Sequence, residues 1–144
     1  MTVRVERTFE LAAPPADVWA FIADPRKRAA PISVVQEFEV TGENTAIWHV
    51  SLPIPYTDRT IAVETEDTRV DEPNYVEFVG RSKAMNVQGE HRLESVDGGT
   101  LLVNRFVVDG TVPGVERYFK GKLDGELENL ERAIRADLGL ELGR

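Results

Sequence analysis

The last quarter of the chain carries an apolar pattern that predicts one long amphipathic helix. The apolar side chains recur every three or four residues, at Val115, Phe119, Leu123, Leu127, Leu130, Ile134 and Leu138. Glu126 falls near the middle of this stripe rather than among the charged residues of the opposite face. Such a helix needs a broad apolar partner, and an acid on its buried face predicts a partly polar interior.

Composition limits the possible classes of protein. The chain has 144 residues, of which 42% are hydrophobic, and this favours a single globular domain spanning residues 1–144. It has no cysteine, so disulfides and thiolate metal sites are excluded. The net charge of −8 argues against a nucleic-acid partner, because phosphate binding requires clustered Lys and Arg. No signal peptide or membrane-spanning run is recognisable, and we expect a cytoplasmic protein.

The residues before the long helix read mainly as β-strands. Residues 2–11 alternate between apolar and polar side chains, which predicts a first strand. Pro15 suits the first turn of a short helix that should end at Asp24-Pro25, and residues 26–30 form a possible second turn. The basic run Arg26-Lys27-Arg28 is interpreted as the solvent-exposed side of that turn. Residues 34–110 then contain six strands separated by turn sequences.

The lengths of the hairpin loops predict which side chains share the inner face of the sheet. A two-residue turn at Asp97-Gly98 or Gly98-Gly99 places His91 and Asn104 side by side on the inner face. A three-residue loop at 42–44 pairs Phe38 with Trp48 inside and leaves His49 outside. Two histidines on opposite faces do not form a metal site, so none is expected.

Three segments resemble the helix-grip superfamily, which includes START-domain-like proteins and the polyketide cyclase/dehydrase group. They are residues 13–25 (APPADVWAFIADP), the GGT turn at 98–100 and LENL at 127–130. The resemblance implies an α+β fold, in which a seven-stranded antiparallel sheet wraps around the long C-terminal helix. Two short helices would lie between strands one and two. It also implies an apolar pocket between the sheet and the long helix.

The inner-face pattern and this resemblance together supply the candidate binding residues. Ligand pockets typically combine apolar walls with a few polar groups that orient the ligand. The predicted ligand-binding residues are Gln36, Phe38, Trp48, Tyr56, Arg59, Ile61, Val63, Phe78, Met85, Val87, Asn104, Phe106, Tyr118, Phe119 and Lys122. Rows of apolar residues on an inner face also occur in ordinary protein cores. The alternative to a ligand pocket is therefore an interior filled by these side chains.

Glu126 and His91 are the candidate catalytic residues. A carboxylate on an apolar face and an inward histidine are suited to moving protons on a bound carbonyl or enol. The alternative is structural, with Glu126 paired within the fold and His91 satisfied by Asn104. Arg59 would either bind an acidic group of a ligand or form a salt bridge at the rim.

Three functions follow from these observations, and none of them requires a cofactor. The leading one, implied by the resemblance, is binding of a small hydrophobic or aromatic ligand such as a polyketide or lipid, by a monomer or homodimer. The second is a cofactor-free cyclase or dehydratase that uses Glu126 and His91. The third is a co-chaperone-like or enzyme-accessory interaction protein, which should show a filled cavity and an exposed apolar patch.

Overall fold

A computed structural model describes residues 2–52, 60–112 and 114–140. Within these ranges the chain forms seven strands and three helices. In chain order they are β1 (Thr2–Leu11), α1 (Pro15–Ile22), α2 (Pro25–Ala29), β2 (Val35–Val40), β3 (Thr45–Val50), β4 (Ile61–Asp71), β5 (Tyr75–Arg81), β6 (Met85–Val96), β7 (Gly99–Gly110) and α3 (Val115–Leu138).

All seven strands form one antiparallel sheet in the order β1-β7-β6-β5-β4-β3-β2. Strands β2 to β7 therefore follow one another as a meander, and β1 adds to the far edge beside β7. The two short helices lie between β1 and β2 in sequence, and the long helix ends the described chain. The predicted α+β helix-grip architecture is confirmed.

Pro15 begins α1 and the helix ends before Asp24-Pro25, as predicted, and Asp24 in addition caps α2. Pro15 occupies the first turn of α1, where the missing N–H of proline has no intrahelical role. The Asp24 side chain accepts a hydrogen bond from the backbone N–H of Arg26 at 2.9 Å and so caps α2. This cap separates the two helices and turns the chain towards β2.

The hairpin registers also agree with the sequence predictions. Val96 pairs with Gly99, so Asp97 and Gly98 form a two-residue turn, and Gly98 has the positive φ of 83° that this turn requires. The same register places His91 opposite Asn104. Phe38 pairs with Trp48 across the β2–β3 hairpin.

The apolar stripe of α3 packs against the inner face of the sheet. Leu127 and Ile134 are completely buried, and Leu138 at the end of the helix is half-buried. Full burial of a side chain of this size contributes about 1.5–3 kcal/mol relative to exposure. The helix is therefore held along most of its length by apolar contact with the sheet and α1.

Candidate ligand-binding site

A cavity of about 40 Å³ lies between the inner face of the sheet and α3, and we call it the main cavity. Its lining is apolar except for the side chain of Glu126. The lining residues are Ile32, Val34, Val35, Trp48, Val50, Phe78, Met85, Val87, Phe106, Val108, Phe119, Leu123 and Glu126. The sheet, the segment entering β2 and the first half of α3 all contribute, which is the position that the sequence predicted for a pocket.

Gly89 on the inner face of β6 provides room for the aromatic part of this wall. A Cβ atom at this position would lie 2.3 Å from Cε1 of Phe78 and 2.8 Å from Cε1 of Phe106, and no real side chain adopts such contacts. The Phe78 ring also packs at 5.6 Å from the Trp48 ring, centroid to centroid. The absence of a side chain at Gly89 thus positions the rings that line the cavity.

The Glu126 carboxylate is 3% exposed and accepts four hydrogen bonds. Its Oε1 accepts from the backbone N–H of Ser33 at 3.1 Å, from Ser33 Oγ at 2.7 Å and from Asn129 Nδ2 at 3.1 Å. Its Oε2 accepts from the backbone N–H of Val34 at 3.3 Å. Each carboxylate oxygen offers about two acceptor positions, so Oε1 with three donors is fully used, whereas Oε2 with one donor can accept another. Glu126 therefore joins α3 to the segment that leads into β2.

His91 is 1% exposed and forms a buried pair with Asn104. Asn104 Nδ2 donates to the carbonyl oxygens of Arg7 at 3.1 Å and Leu102 at 3.3 Å, so its Oδ1 faces His91. His91 Nδ1 must then be the protonated nitrogen, and it donates to Oδ1 at 2.7 Å. This network leaves Nε2 as the unprotonated nitrogen of the neutral ring.

Burial and, to a smaller extent, the positive charge of Arg28 lower the pKa of His91 to about 3. The hydrogen bond with Asn104 raises the pKa, but its effect is smaller. The ring also stacks on Phe78, with centroids 6.3 Å apart and an interplanar angle of 19°. His91 is therefore a neutral member of the core at physiological pH.

Arg28 was interpreted from the sequence as part of a solvent-exposed turn, and this was wrong. The residue is 6% exposed, and its Nη2 donates to both carboxylate oxygens of Asp67 at 2.8 Å. Its guanidinium lies 5.4 Å from the centroid of the Phe78 ring. The strand alternation that placed Val63 and Thr65 inside extends to Asp67, so an inward acid was the available signal for a buried basic partner.

Several predicted binding residues line the main cavity. Seven of the residues predicted as binding or catalytic residues do so: Trp48, Phe78, Met85, Val87, Phe106, Phe119 and Glu126. The two catalytic candidates do not meet there, because His91 and its partner Asn104 lie outside the lining. Tyr56 and Arg59 fall within 53–59, outside the described residues.

Gln36 is exposed, although the alternation of β2 predicted it on the inner face. The cause is a β-bulge: Val35 pairs with Val50 and Glu37 pairs with His49, which leaves Gln36 as the extra residue. The bulge places Val35 in the cavity wall instead. No turn residue marks this bulge in the sequence.

The other predicted wall residues belong to the surrounding packing rather than to the cavity lining. Val63 is fully buried in the core, whereas Phe38 and Ile61 are half-buried. Tyr118 packs edge to face on Phe119 at 5.2 Å, and Lys122 Nζ lies 5.9 Å from the Tyr118 ring centroid. The lining residues that the sequence analysis missed are Ile32, Val34, Val35, Val50, Val108 and Leu123.

Two further features concern the residues that the structure describes, 2–52, 60–112 and 114–140. No cluster of three or more His, Asp or Glu side chains with the spacing of a metal site occurs in these ranges. In the same ranges, no helix combines the length and the apolar character that crossing a membrane requires.

Solved structures with the same fold come from several sources. A START superfamily protein from Mycobacterium smegmatis aligns with a TM-score of 0.75 and 13% identity, covering 94% of this chain and 97% of its own. The Zhui aromatase/cyclase from Streptomyces sp. R1128 aligns with a TM-score of 0.62 and 18% identity. The alignment covers 96% of this chain and 93% of the aromatase/cyclase. The di-domain aromatase/cyclase StfQ of the steffimycin biosynthetic pathway also aligns, with a TM-score of 0.68 and 13% identity. The alignment covers 94% of this chain and 50% of StfQ.

The sequence itself places the chain in a family. No curated protein sequence matches it. A family model described as "Polyketide cyclase / dehydrase and lipid transport" matches residues 2–135, which is nearly the whole chain. The match spans every strand, both short helices and most of α3. The chain therefore belongs to the polyketide cyclase/dehydrase and lipid transport family.

Proposed function

We propose that the protein binds a small apolar or aromatic molecule in the main cavity. The observation that carries this proposal is a void with apolar walls on the sheet side and the helix side, in whose lining Glu126 is the one charged residue. Burial of apolar ligand surface supplies the free energy of binding, at about 25 cal/mol per Å². Family membership supports the same conclusion.

The void has an energetic cost that ordinary packing would avoid. Protein interiors are close-packed, and few voids in them exceed the size of a water molecule. A cavity of about 40 Å³ destabilises the fold by on the order of 1 kcal/mol at about 24 cal/mol per Å³. A ligand group that enters the void recovers this loss, which offsets part of the cost of displacing side chains.

The dimensions of the main cavity restrict the ligand. Pockets for drug-sized molecules enclose about 300–1,000 Å³, whereas this cavity encloses about 40 Å³. A ligand with a ring must therefore displace side chains as it enters. Met85 is suited to this, because its unbranched side chain adopts many shapes at low cost. We expect compact aromatic or alicyclic molecules to bind before long-chain lipids.

The methionine methyl group gives a direct test of binding. Met85 lines the cavity, and Met1 is the other methionine of the chain, so a spectrum of methyl-labelled methionine is easily assigned. Titration with indane, a compact bicyclic hydrocarbon, should shift the Met85 methyl signal in a saturable manner. An unchanged Met85 signal at saturating indane would contradict the proposal.

A filled cavity should abolish this response. Val108→Phe adds a ring to the cavity wall, and we expect it to weaken indane binding at least tenfold, which calorimetry can measure. The matched control is Val70→Phe, which adds the same ring at a position that is 46% exposed. Equal affinity in the two variants would place the ligand elsewhere. Circular dichroism of both variants establishes that each is folded.

A second candidate function is supported by the position of Glu126. Glu126 is the one charged residue in the lining of the main cavity, and its carboxylate, now bound to Ser33, Val34 and Asn129, would have to turn towards a folded poly-carbonyl chain to act as the acid or base of a cyclase or dehydratase. The third candidate, an interaction protein, has no comparable observation. The large apolar side chains that are exposed among the described residues are Val70 and Val96, on different strands.

Glu126→Gln separates catalysis from binding. If the carboxylate transfers a proton, turnover of a β-polyketone substrate should fall by about 10²–10⁴-fold with affinity retained. Ser33→Ala is the control, because it removes a hydrogen bond to Glu126 and keeps the carboxylate. Equal loss of turnover in both variants would show that Glu126 acts only through the local structure.

A further inference from the structure

The side chain of Arg28 is the starting point of a second, polar site. Arg28 lies in α2, is 94% buried and reaches the inner face of the sheet, where it pairs with Asp67 on β4. The carboxylate of Asp67 neutralises the charge of the guanidinium. The α2 segment is thereby tied to the sheet beside the aromatic wall of the main cavity.

The geometry of this ion pair uses only part of the guanidinium. Both hydrogen bonds to Asp67 come from Nη2, at 2.8 Å each, rather than from two nitrogens in a fork. The other amino group, Nη1, is buried and has no hydrogen-bond partner among the described residues. A buried N–H without an acceptor is unfavourable, so the site is arranged for one further acceptor.

A small space adjoins Arg28, and we call it the side cavity. It encloses about 10 Å³, which is enough for a single oxygen-sized group, and its lining includes Arg28, Asn44, Thr65 and Asp67. Thr65 Oγ1 already donates to the carbonyl of Ala46 at 3.0 Å, whereas Arg28, another residue of this lining, has an unpartnered Nη1.

The side cavity is separated from the main cavity by two aromatic rings. Trp48 and Phe78 line both cavities, and their ring centroids are 5.6 Å apart. A ligand that shifts either ring would join the two spaces. Its apolar body would remain against the sheet and α3, and one polar atom would reach Arg28.

We propose that Arg28 and the side cavity form a subsite for one neutral oxygen of the ligand, a ketone carbonyl or a phenolic oxygen. This inference rests on the proposed function, because the main cavity must hold the rest of the ligand. Arg28 Nη1 donates the hydrogen bond that orients the molecule. The ligand class is then a compact aromatic or alicyclic ketone or phenol.

The charge balance argues against an acidic ligand group. Asp67 already neutralises Arg28, so a ligand carboxylate would introduce an unpaired charge into a desolvated site. A neutral oxygen supplies the missing acceptor without this cost. The subsite should therefore rank ligands as ketone above hydrocarbon above carboxylate, once their different hydration is taken into account.

The test compares indane with 1-indanone, which have the same ring system and differ in one carbonyl group. Calorimetric affinities for both are measured in the wild type and in Arg28→Lys. Lysine can retain the ion pair with Asp67, but its one nitrogen cannot occupy the positions of Nη2 and Nη1 at once, so the donor at the Nη1 position is lost. We expect Arg28→Lys to weaken 1-indanone binding about tenfold or more and to change indane binding less than twofold.

Two further variants serve as controls for changes in folding. Arg26→Lys makes the same substitution at an exposed position of α2 and should leave both affinities unchanged. The double variant Arg28→Met with Asp67→Asn removes the ion pair without leaving an unpaired charge, and should lose the ketone preference while still binding indane.

The outcomes separate this inference from the proposed function. If both probes bind and Arg28→Lys leaves the ratio of their affinities unchanged, the side cavity holds only a water molecule and the subsite is overturned. If neither probe binds the wild type, the proposed function fails and the subsite fails with it. A structure with 1-indanone should place its oxygen within hydrogen-bond distance of Arg28 Nη1.

Discussion

His91 shows how burial decides the protonation of a single side chain. Asn104 is oriented by two backbone carbonyls, so it can only accept from His91, and the ring is neutral with its proton on Nδ1. Loss of solvation and the nearby charge of Arg28 both oppose a second proton. Such a histidine can accept a proton from a ligand only at a large energetic cost, unless binding first changes its surroundings.

The lowered pKa of His91 predicts a dependence of stability on pH. The unfolded chain binds a proton at this residue below about pH 6.5, whereas the folded chain does so only near pH 3. The contribution of neutral His91 to the free energy of unfolding is therefore fully present above pH 6.5. It is lost as the pH falls towards 3, at about 1.4 kcal/mol per pH unit and about 3 kcal/mol in total at pH 4.

His91→Gln removes this titration and keeps a donor for Asn104. Chemical unfolding of both proteins at several pH values should show that the stability advantage of the wild type shrinks as the pH falls from 6.5 to 4. The carboxylates titrate in both proteins, so the difference between them isolates His91. A constant difference over this range would mean that the folded protein binds the proton readily.

At the level of elements, Glu126 connects α3 to the chain that enters β2. Its carboxylate accepts from both Ser33 and Val34, and Val34 itself lines the main cavity. A buried polar group of this kind stabilises only when its partners are present, since an unpaired carboxylate is costly. One wall of the cavity therefore depends on a polar contact rather than on apolar packing alone.

A double-mutant cycle on Glu126 and Ser33 should measure this connection. We expect Glu126→Gln and Ser33→Ala each to destabilise the fold by about 1–3 kcal/mol, because each removes or weakens hydrogen bonds to a buried carboxylate. The two effects should be non-additive, with a coupling energy of about 0.5–3 kcal/mol. Additive losses in urea unfolding would show that the two side chains contribute independently.

Across the whole molecule, the sequence predicted what depends on local periodicity and turn length. The stripe of α3 and the pairing of His91 with Asn104 follow from regular spacing, and both are observed. The β-bulge at Gln36 has no local signature in the sequence. The burial of Arg28 depends on a tertiary contact whose one signal, the inward Asp67, lies 39 residues further along the chain. The volume of the cavity could not be predicted from the sequence either, because it depends on how side chains from several strands fill a common space.

The packing of α3 across the sheet predicts that the described chain unfolds as one domain. Trp19 on α1 and Trp48 on β3 are both buried, and they report on the helical layer and on the cavity wall respectively. Because Leu127 and Ile134 pack in the same core as both tryptophans, neither region has a core of its own.

Single-tryptophan variants test this cooperativity. Trp19→Phe leaves Trp48 as the fluorescent probe, and Trp48→Phe leaves Trp19, since the chain has two tryptophans. In each variant we expect the urea transition followed by tryptophan fluorescence to coincide with the one followed by far-ultraviolet circular dichroism. The two transitions are compared within one variant, so a difference in stability between the two variants does not affect the result.

If Trp48 fluorescence changed at lower urea than the circular dichroism, the cavity wall would open before the helices unfold. The cavity would then be a separately unfolding region, and ligand entry would need only this local opening.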